Sequence, residues 1–139
     1  NNHGRALSIM VLDIDHFKNI NDSYGHGVGD EVLKLFYQTC LEAVRSSDVV
    51  ARIGGEEFVI IMPNTELHNA GKFAERLRAN IAQLEINIAQ QQISVTVSIG
   101  VSQWKSDYFV NAETFIAHAD KSLYQAKNSG RNKVVIAQT

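Results

Sequence analysis

One cysteine, Cys40, and one proline, Pro63, occur in 139 residues. A lone thiol excludes an intrachain disulfide and a cysteine-based zinc centre, and it fits a reducing, cytoplasmic compartment. Long apolar runs are missing. Ile9–Leu12 and Phe58–Met62 are short stretches, far below the roughly 20 residues that a membrane-spanning helix needs. The first residues do not read as a basic-apolar-small leader. Neither charge dominates: 13 Lys and Arg against 15 Asp and Glu leave a net charge of −2. That balance argues against broad binding to nucleic-acid polymers and leaves room for a nucleotide held through a metal. Internal repeats, low-complexity runs and linker-like composition shifts are absent as well. What is present is ordinary globular composition, 45% hydrophobic and 20% charged, enough for one domain with a sizeable core.

Elements alternate in type along the chain, which points to an α/β or α+β domain. Ala6–Ile14 is nearly all apolar and reads as a strand buried on both faces. Residues 16–25 are polar and end in glycine, a short helical turn or loop. Val28, Val32, Leu35, Phe36, Cys40, Leu41 and Val44 give helical spacing to Gly27–Arg45. Val49–Ile53 and Phe58–Met62 read as strands joined by the hairpin connection Gly54-Gly55-Glu56-Glu57. Ala70 to Leu84 predicts a second long helix. Ile93, Val95, Val97, Ile99 and Val101 alternate with small polar residues, predicting one strand over 93–102 with an oily and a small-polar face. Ala112–Ala126 predicts a third helix, stopped at Asn128-Ser129-Gly130, and Lys133–Ala137 a last strand. The predicted class is α+β, a split-βαβ antiparallel sheet with flanking helices on one face.

Asp13 and Asp15 end the first strand. Residues two apart share a face, and two carboxylates on one face at a strand end suit a hard cation; taken alone, the pair equally reads as solvated acids or a turn cap. Gly54 and Gly55 allow a tight turn and close backbone approach. Glu56 and Glu57 follow directly, and like charges about 4 Å apart repel by roughly 4 kcal/mol at an effective dielectric near 20. A divalent cation between them reverses that sign. The split-βαβ arrangement sets the first strand beside the hairpin, so Asp13 and Glu56 are expected to converge, as in two-metal phosphoryl transfer. His16-Phe17-Lys18 offers turn amides for phosphates, and Lys127 and Arg131 flank the glycine stop of the last helix, where both can reach one anion.

Asp13-Ile-Asp-His-Phe-Lys18, Asn21-Asp-Ser-Tyr-Gly-His26, Gly29-Asp30, Arg52-Ile-Gly-Gly-Glu-Glu-Phe58, Ser98-Ile-Gly-Val101 and Tyr124-Gln-Ala-Lys-Asn-Ser-Gly-Arg-Asn132 occur in order over nearly the whole chain. Together they resemble the GGDEF family of diguanylate cyclases, in its GGEEF variant. The resemblance implies condensation of two GTP into cyclic di-GMP and two pyrophosphates, with a cyclase/polymerase-palm relative of the split βαβ as the fold. It implies Mg2+, with Mn2+ as the alternative, held by Asp13, Glu56 and the Ile14 carbonyl, and a catalytic or second-metal role for Glu57. Phosphate contacts fall to the backbone at Phe17 and Lys18 and to the side chains of Lys127 and Arg131. Guanine contacts fall to Asn21 and Asp30. A carboxylate can accept from both N1–H and N2–H₂ of guanine, a pair that adenine lacks, and a site built on such bonds discriminates by about 10⁴.

One domain resembles a half-site for one GTP, so the family mechanism calls for a homodimer, under the control of an upstream sensory domain. Arg45-Ser-Ser-Asp48, which five residues separate from Gly54, matches the family's product-inhibition site, with Arg76 as its secondary arginine. Arginine can fork to phosphate and stack on guanine. Family members carry a helix and a D-x-x-T-x-L-x-N-R stretch before the first strand. Residues 1–139 are therefore expected to be a GGDEF domain lacking that helix, a fragment of a longer sensor protein whose parent can be membrane-anchored. A silent module that only binds cyclic di-GMP is the competing expectation. The intact Asp13, Glu56, Glu57, Lys127 and Arg131 favour the enzyme. The five histidines, His3 among them, show no metal-ligand spacing, and Cys40 reads as core.

Overall fold

A computed structural model describes residues 6–137. Its elements are β1 (Leu7–Ile14), α1 (Phe17–Tyr24), α2 (His26–Ala43), β2 (Val49–Arg52), β3 (Glu57–Pro63), α3 (Leu67–Ala82), β4 (Ile86–Ile88), β5 (Gln91–Ile93), β6 (Val97–Gln103), α4 (Ala112–Asn128) and β7 (Val134–Ile136). Five strands form the main sheet in the order β2-β3-β1-β6-β7. β1 lies at its centre, antiparallel to β3 and β6, while β7 runs parallel to β6. The fold is mixed α and β, its sheet mainly antiparallel and flanked by helices. No helix among the described residues is long and apolar enough to cross a membrane. His3 and the chain start lie outside the described residues.

The expectation of helices on one face is corrected. β1 alternates its side chains between two cores. Met10, Leu12 and Ile14 pack with Val32 and Phe36 of α2 and with Ala74 and Leu77 of α3. Ile9 and Val11 pack with Phe115, Ala119 and Leu123 of α4. A sheet covered on both sides needs a central strand that is apolar on both faces, which β1 supplies over Ile9–Leu12.

The expected single strand over 93–102 is also corrected. Ile93 closes a separate hairpin with β4, and β6 starts only at Val97. Ile93, Val95 and Val97 are all buried, so the alternation continues through a segment where the pairing partner changes. The small-polar face of β6 is buried rather than open. Ser98 and Ser102 are fully covered, and a Cβ at Gly100 would stand 2.2 Å from the Ala119 carbonyl oxygen and 2.4 Å from the Leu123 nitrogen. Small residues there let α4 seat its backbone on the sheet. Residues 16–25, expected as a short helical turn or loop, hold the two-turn helix α1, entered through His16 in the left-handed conformation (φ 57°).

Candidate functional site

β1 delivers Asp13 and Asp15 to the same end of the sheet, and the two end in different environments. Asp15 is buried and fully bonded: it accepts from Thr96 Oγ1 and Ser98 Oγ, both at 2.6 Å, and from the Asn132 amide at 2.9 Å. It ties β1 to β6 and to the turn after α4. Asp13 is equally buried, at 6% exposure, but poorly satisfied. Lys127 Nζ donates to Oδ2, whereas Oδ1 has no hydrogen-bond partner. A buried carboxylate oxygen without a donor is costly.

The hairpin brings two more acids. Glu57 is the cross-strand partner of Asp13, and the turn before it is closed by the Ile53 amide bonding the Glu57 carbonyl at 2.9 Å. Arg52 clasps the same turn, donating to the Gly54 carbonyl at 3.0 Å and to that of Gly55. Glu56 stands close enough to Asp13 to feel its charge. Partial burial, then the charge of Asp13 and its hydrogen bond, raise the Glu56 pKa above the usual carboxylate range, with Lys127 opposing. Glu57 is pushed up to about 7 by burial, then by hydrogen bonding and charge from Asp120, then by Asp13, again against Lys127. Sequence reading missed Asp120. Its signal was its spacing, since Asp120 and Lys127 stand seven apart on α4 and so share a face.

Asp13 thus raises the cost of charge on Glu56 and Glu57, Asp120 raises it on Glu57, and Lys127 opposes both. This donor set fits a hard cation. Among the described residues no three His, Cys, Asp or Glu side chains stand arranged to hold a metal by themselves. A cation at Asp13 and Glu56 therefore needs further oxygens, from backbone or ligand. The Ile14 side chain is buried in the core, which leaves only its carbonyl for such a role.

Phe17 and Lys18 open α1. The first amides to bond back are those of Asn19 and Ile20, both to the His16 carbonyl, so the amides of Phe17 and Lys18 lie at the helix's open end. The Phe17 ring is buried, and the Lys18 side chain is exposed, 3.9 Å from Asp22. Asn21 packs against α2 at Gly29, where a Cβ would stand 1.8 Å from Asn21 Oδ1. One residue on, Asp30 lines an open groove of about 530 Å³ with Leu33, Lys34, Tyr37, Arg52 and Phe58. Arg131 is exposed beyond Gly130, with a left-handed backbone (φ 62°). Its amide bonds the Ala126 carbonyl at 2.9 Å. Lys127, read from the sequence as able to reach one anion together with Arg131, bonds Asp13.

Arg45, Asp48 and Arg76 line a second pocket, of about 200 Å³. Here Arg45 and Asp48 satisfy each other. Arg45 forks to Asp48 at 2.8 and 3.2 Å and also donates to the Pro63 carbonyl at 2.9 Å and to Thr65 Oγ1 at 2.7 Å. The Asp48 side chain is only 3% exposed. Arg76 lies over the Phe73 ring at 5.8 Å.

Residues 1–133 match the family model for the diguanylate cyclase GGDEF domain. "Diguanylate cyclase A" of Treponema denticola is 42% identical over 133 residues, 96% of this chain and 36% of that protein. The chain thus spans about a third of the length of the curated relatives it matches. Among solved structures, the GGDEF domain of DgcB from Caulobacter crescentus, in complex with c-di-GMP, superposes with a TM-score of 0.91 at 30% identity, covering 99% of this chain and 81% of that one. The active GGEEF domain of a diguanylate cyclase from Vibrio cholerae gives 0.87 at 32% identity, covering 96% and 84%. By these matches, the chain belongs to the GGDEF domain family of diguanylate cyclases.

Proposed function

We propose that this domain condenses two GTP molecules into cyclic di-GMP, releasing two pyrophosphates. The observation that carries the reading is the unsatisfied Asp13 carboxylate, buried with one oxygen unpartnered amid Glu56 and Glu57. Asp13, Glu56 and the Ile14 carbonyl would hold Mg2+ or Mn2+, with Glu57 a catalytic or second-metal acid. When bound, the cation would acidify the attacking 3′-hydroxyl and neutralise charge at the phosphates. Lys127 holds Asp13; with a cation on that carboxylate, its ammonium would be free to contact phosphate. Arg131 and the open amides of Phe17 and Lys18 would take the remaining phosphate oxygens. Asp30, which follows the Gly29 that packs on Asn21, would read guanine together with Asn21. That the Vibrio cholerae neighbour is an active GGEEF domain supports a functional glutamate at position 56.

Each domain would hold one GTP, so catalysis would need two domains facing each other, brought together under an upstream sensory domain on the cytoplasmic side. The pocket of Arg45, Asp48 and Arg76 would bind the product and restrain activity. The deciding test is incubation with GTP and Mg2+ followed by nucleotide separation. Cyclic di-GMP should form and should disappear in Glu56→Ala. No product, with cyclic di-GMP binding that depends on Arg45, would replace the enzyme with a receptor.

A further inference from the structure

Arg131 and Asn132 follow one another in left-handed backbone, at φ 62° and 49°. Asparagine tolerates that region; arginine avoids it. A chain holds such a conformation only where its surroundings fix it; the Arg131 amide bonds back to the Ala126 carbonyl at 2.9 Å, and two contacts hold Asn132. The Asn132 amide donates to buried Asp15 at 2.9 Å. Its side-chain oxygen accepts from Arg78 Nη1, across on α3, at 2.7 Å. Arg78 is itself fixed by a double bond to Glu75 at 2.6 and 2.9 Å, and its side chain is only 19% exposed. The helix beneath it is firmly seated on β7, since a Cβ at Gly71 would stand 2.6 Å from Ile136 Cδ1.

We propose that Arg78 is a positioning residue: braced by Glu75, it pins Asn132 and so holds the left-handed turn that presents Arg131 to substrate phosphate. The phosphate role of Arg131 rests on the function proposed above; the bracing does not. Asp15 fixes Asn132 from the sheet side and Arg78 from the helix side, so loss of Arg78 leaves Asn132 held from the sheet side alone, with the Arg131 amide still on the Ala126 carbonyl. The Arg131 guanidinium then samples a wider range, and ground-state binding weakens while the reacting groups at Asp13 and Glu56 stay in place.

The test uses the chain with GTP and Mg2+, together with amide hydrogen exchange. Arg78→Ala should raise KM for GTP roughly tenfold with kcat little changed, the size expected for one lost bond to a charged group. It should speed exchange at the Asn132 amide and add nothing to KM in an Arg131→Ala background. Asn132→Gly keeps the left-handed turn and the amide bond to Asp15 but removes the oxygen that Arg78 grips, so it should reproduce the KM rise even if Arg78→Ala does not fold. Loss of kcat at unchanged KM, full additivity with Arg131→Ala, or unaltered exchange at Asn132 would each overturn the assignment. If no form turns over GTP, faster exchange in Arg78→Ala upholds the bracing while the proposed reaction fails alone.

Discussion

At the end of β1, Asp13, Glu56 and Glu57 share a single lysine, Asp120 adds its charge to Glu57, and one Asp13 oxygen has no partner. Beside α3, Arg45 meets Asp48 through a two-point fork, and its Nη2 also reaches Pro63 and Thr65. Both regions bury carboxylates. The second satisfies them within the chain and needs nothing added. The first keeps its acids in a state that folding alone disfavours, as expected where side chains are retained for binding or chemistry rather than for stability. Substitutions should therefore act in opposite directions on stability in the two places.

The largest effect is expected at Glu56. Glu56→Ala should cut cyclic di-GMP formation by about a thousandfold or more, since a metal-site carboxylate supports several kcal/mol of transition-state stabilisation. The same change should leave the melting temperature without divalent cation level or raised, because it removes a repulsion. Arg45→Ala should do the reverse. It strands the covered Asp48 carboxylate and should cost about 2 kcal/mol in chemical denaturation, while basal turnover persists and inhibition by cyclic di-GMP is lost.

A third way to sharpen the contrast is pH. The Glu57 pKa lies near 7 in the folded state against an ordinary 4.5. Between those values the folded chain binds more protons than the unfolded one, so stability is fully present below about 4.5 and declines as pH rises through 7. Melting curves without divalent cation should show this decline, and Glu57→Gln should flatten it. Glu75 has the opposite sign, because Arg78 holds its carboxyl below the usual range. Its contribution is present at neutral pH and fades on acidification. The smallest effect is expected at Lys18 and Asp22, a largely exposed pair 3.9 Å apart. Lys18→Ala should leave the melting temperature unchanged, as surface ion pairs add little.

Much of this was legible in the sequence for a physical reason. The unbroken apolar run of β1 and the Gly54-Gly55 turn each have one stable use in a sheet, and together they fix where Asp13 meets the hairpin. The β4-β5 hairpin was not legible because its turn is Ala89-Gln90, both left-handed, where asparagine and glycine are the usual signal. The burial of helices on both faces was implicit in β1, whose odd and even positions are equally apolar. The small residues of β6 read as a polar face, although they make room for α4 and, through Ser98, hold Asp15. Asp120 and the Arg78–Asn132 contact join residues far apart in sequence through the packing of α4 and α3, and no local pattern encodes those distances.

The central claim is that the acids at the end of β1 are kept for a divalent cation. Mn2+ binding followed by electron paramagnetic resonance, with a non-hydrolysable GTP analogue present, addresses it directly. The account predicts saturable Mn2+ binding that is lost in Asp13→Asn and in Glu56→Gln while both variants remain folded. Undiminished Mn2+ binding in those two variants would contradict it.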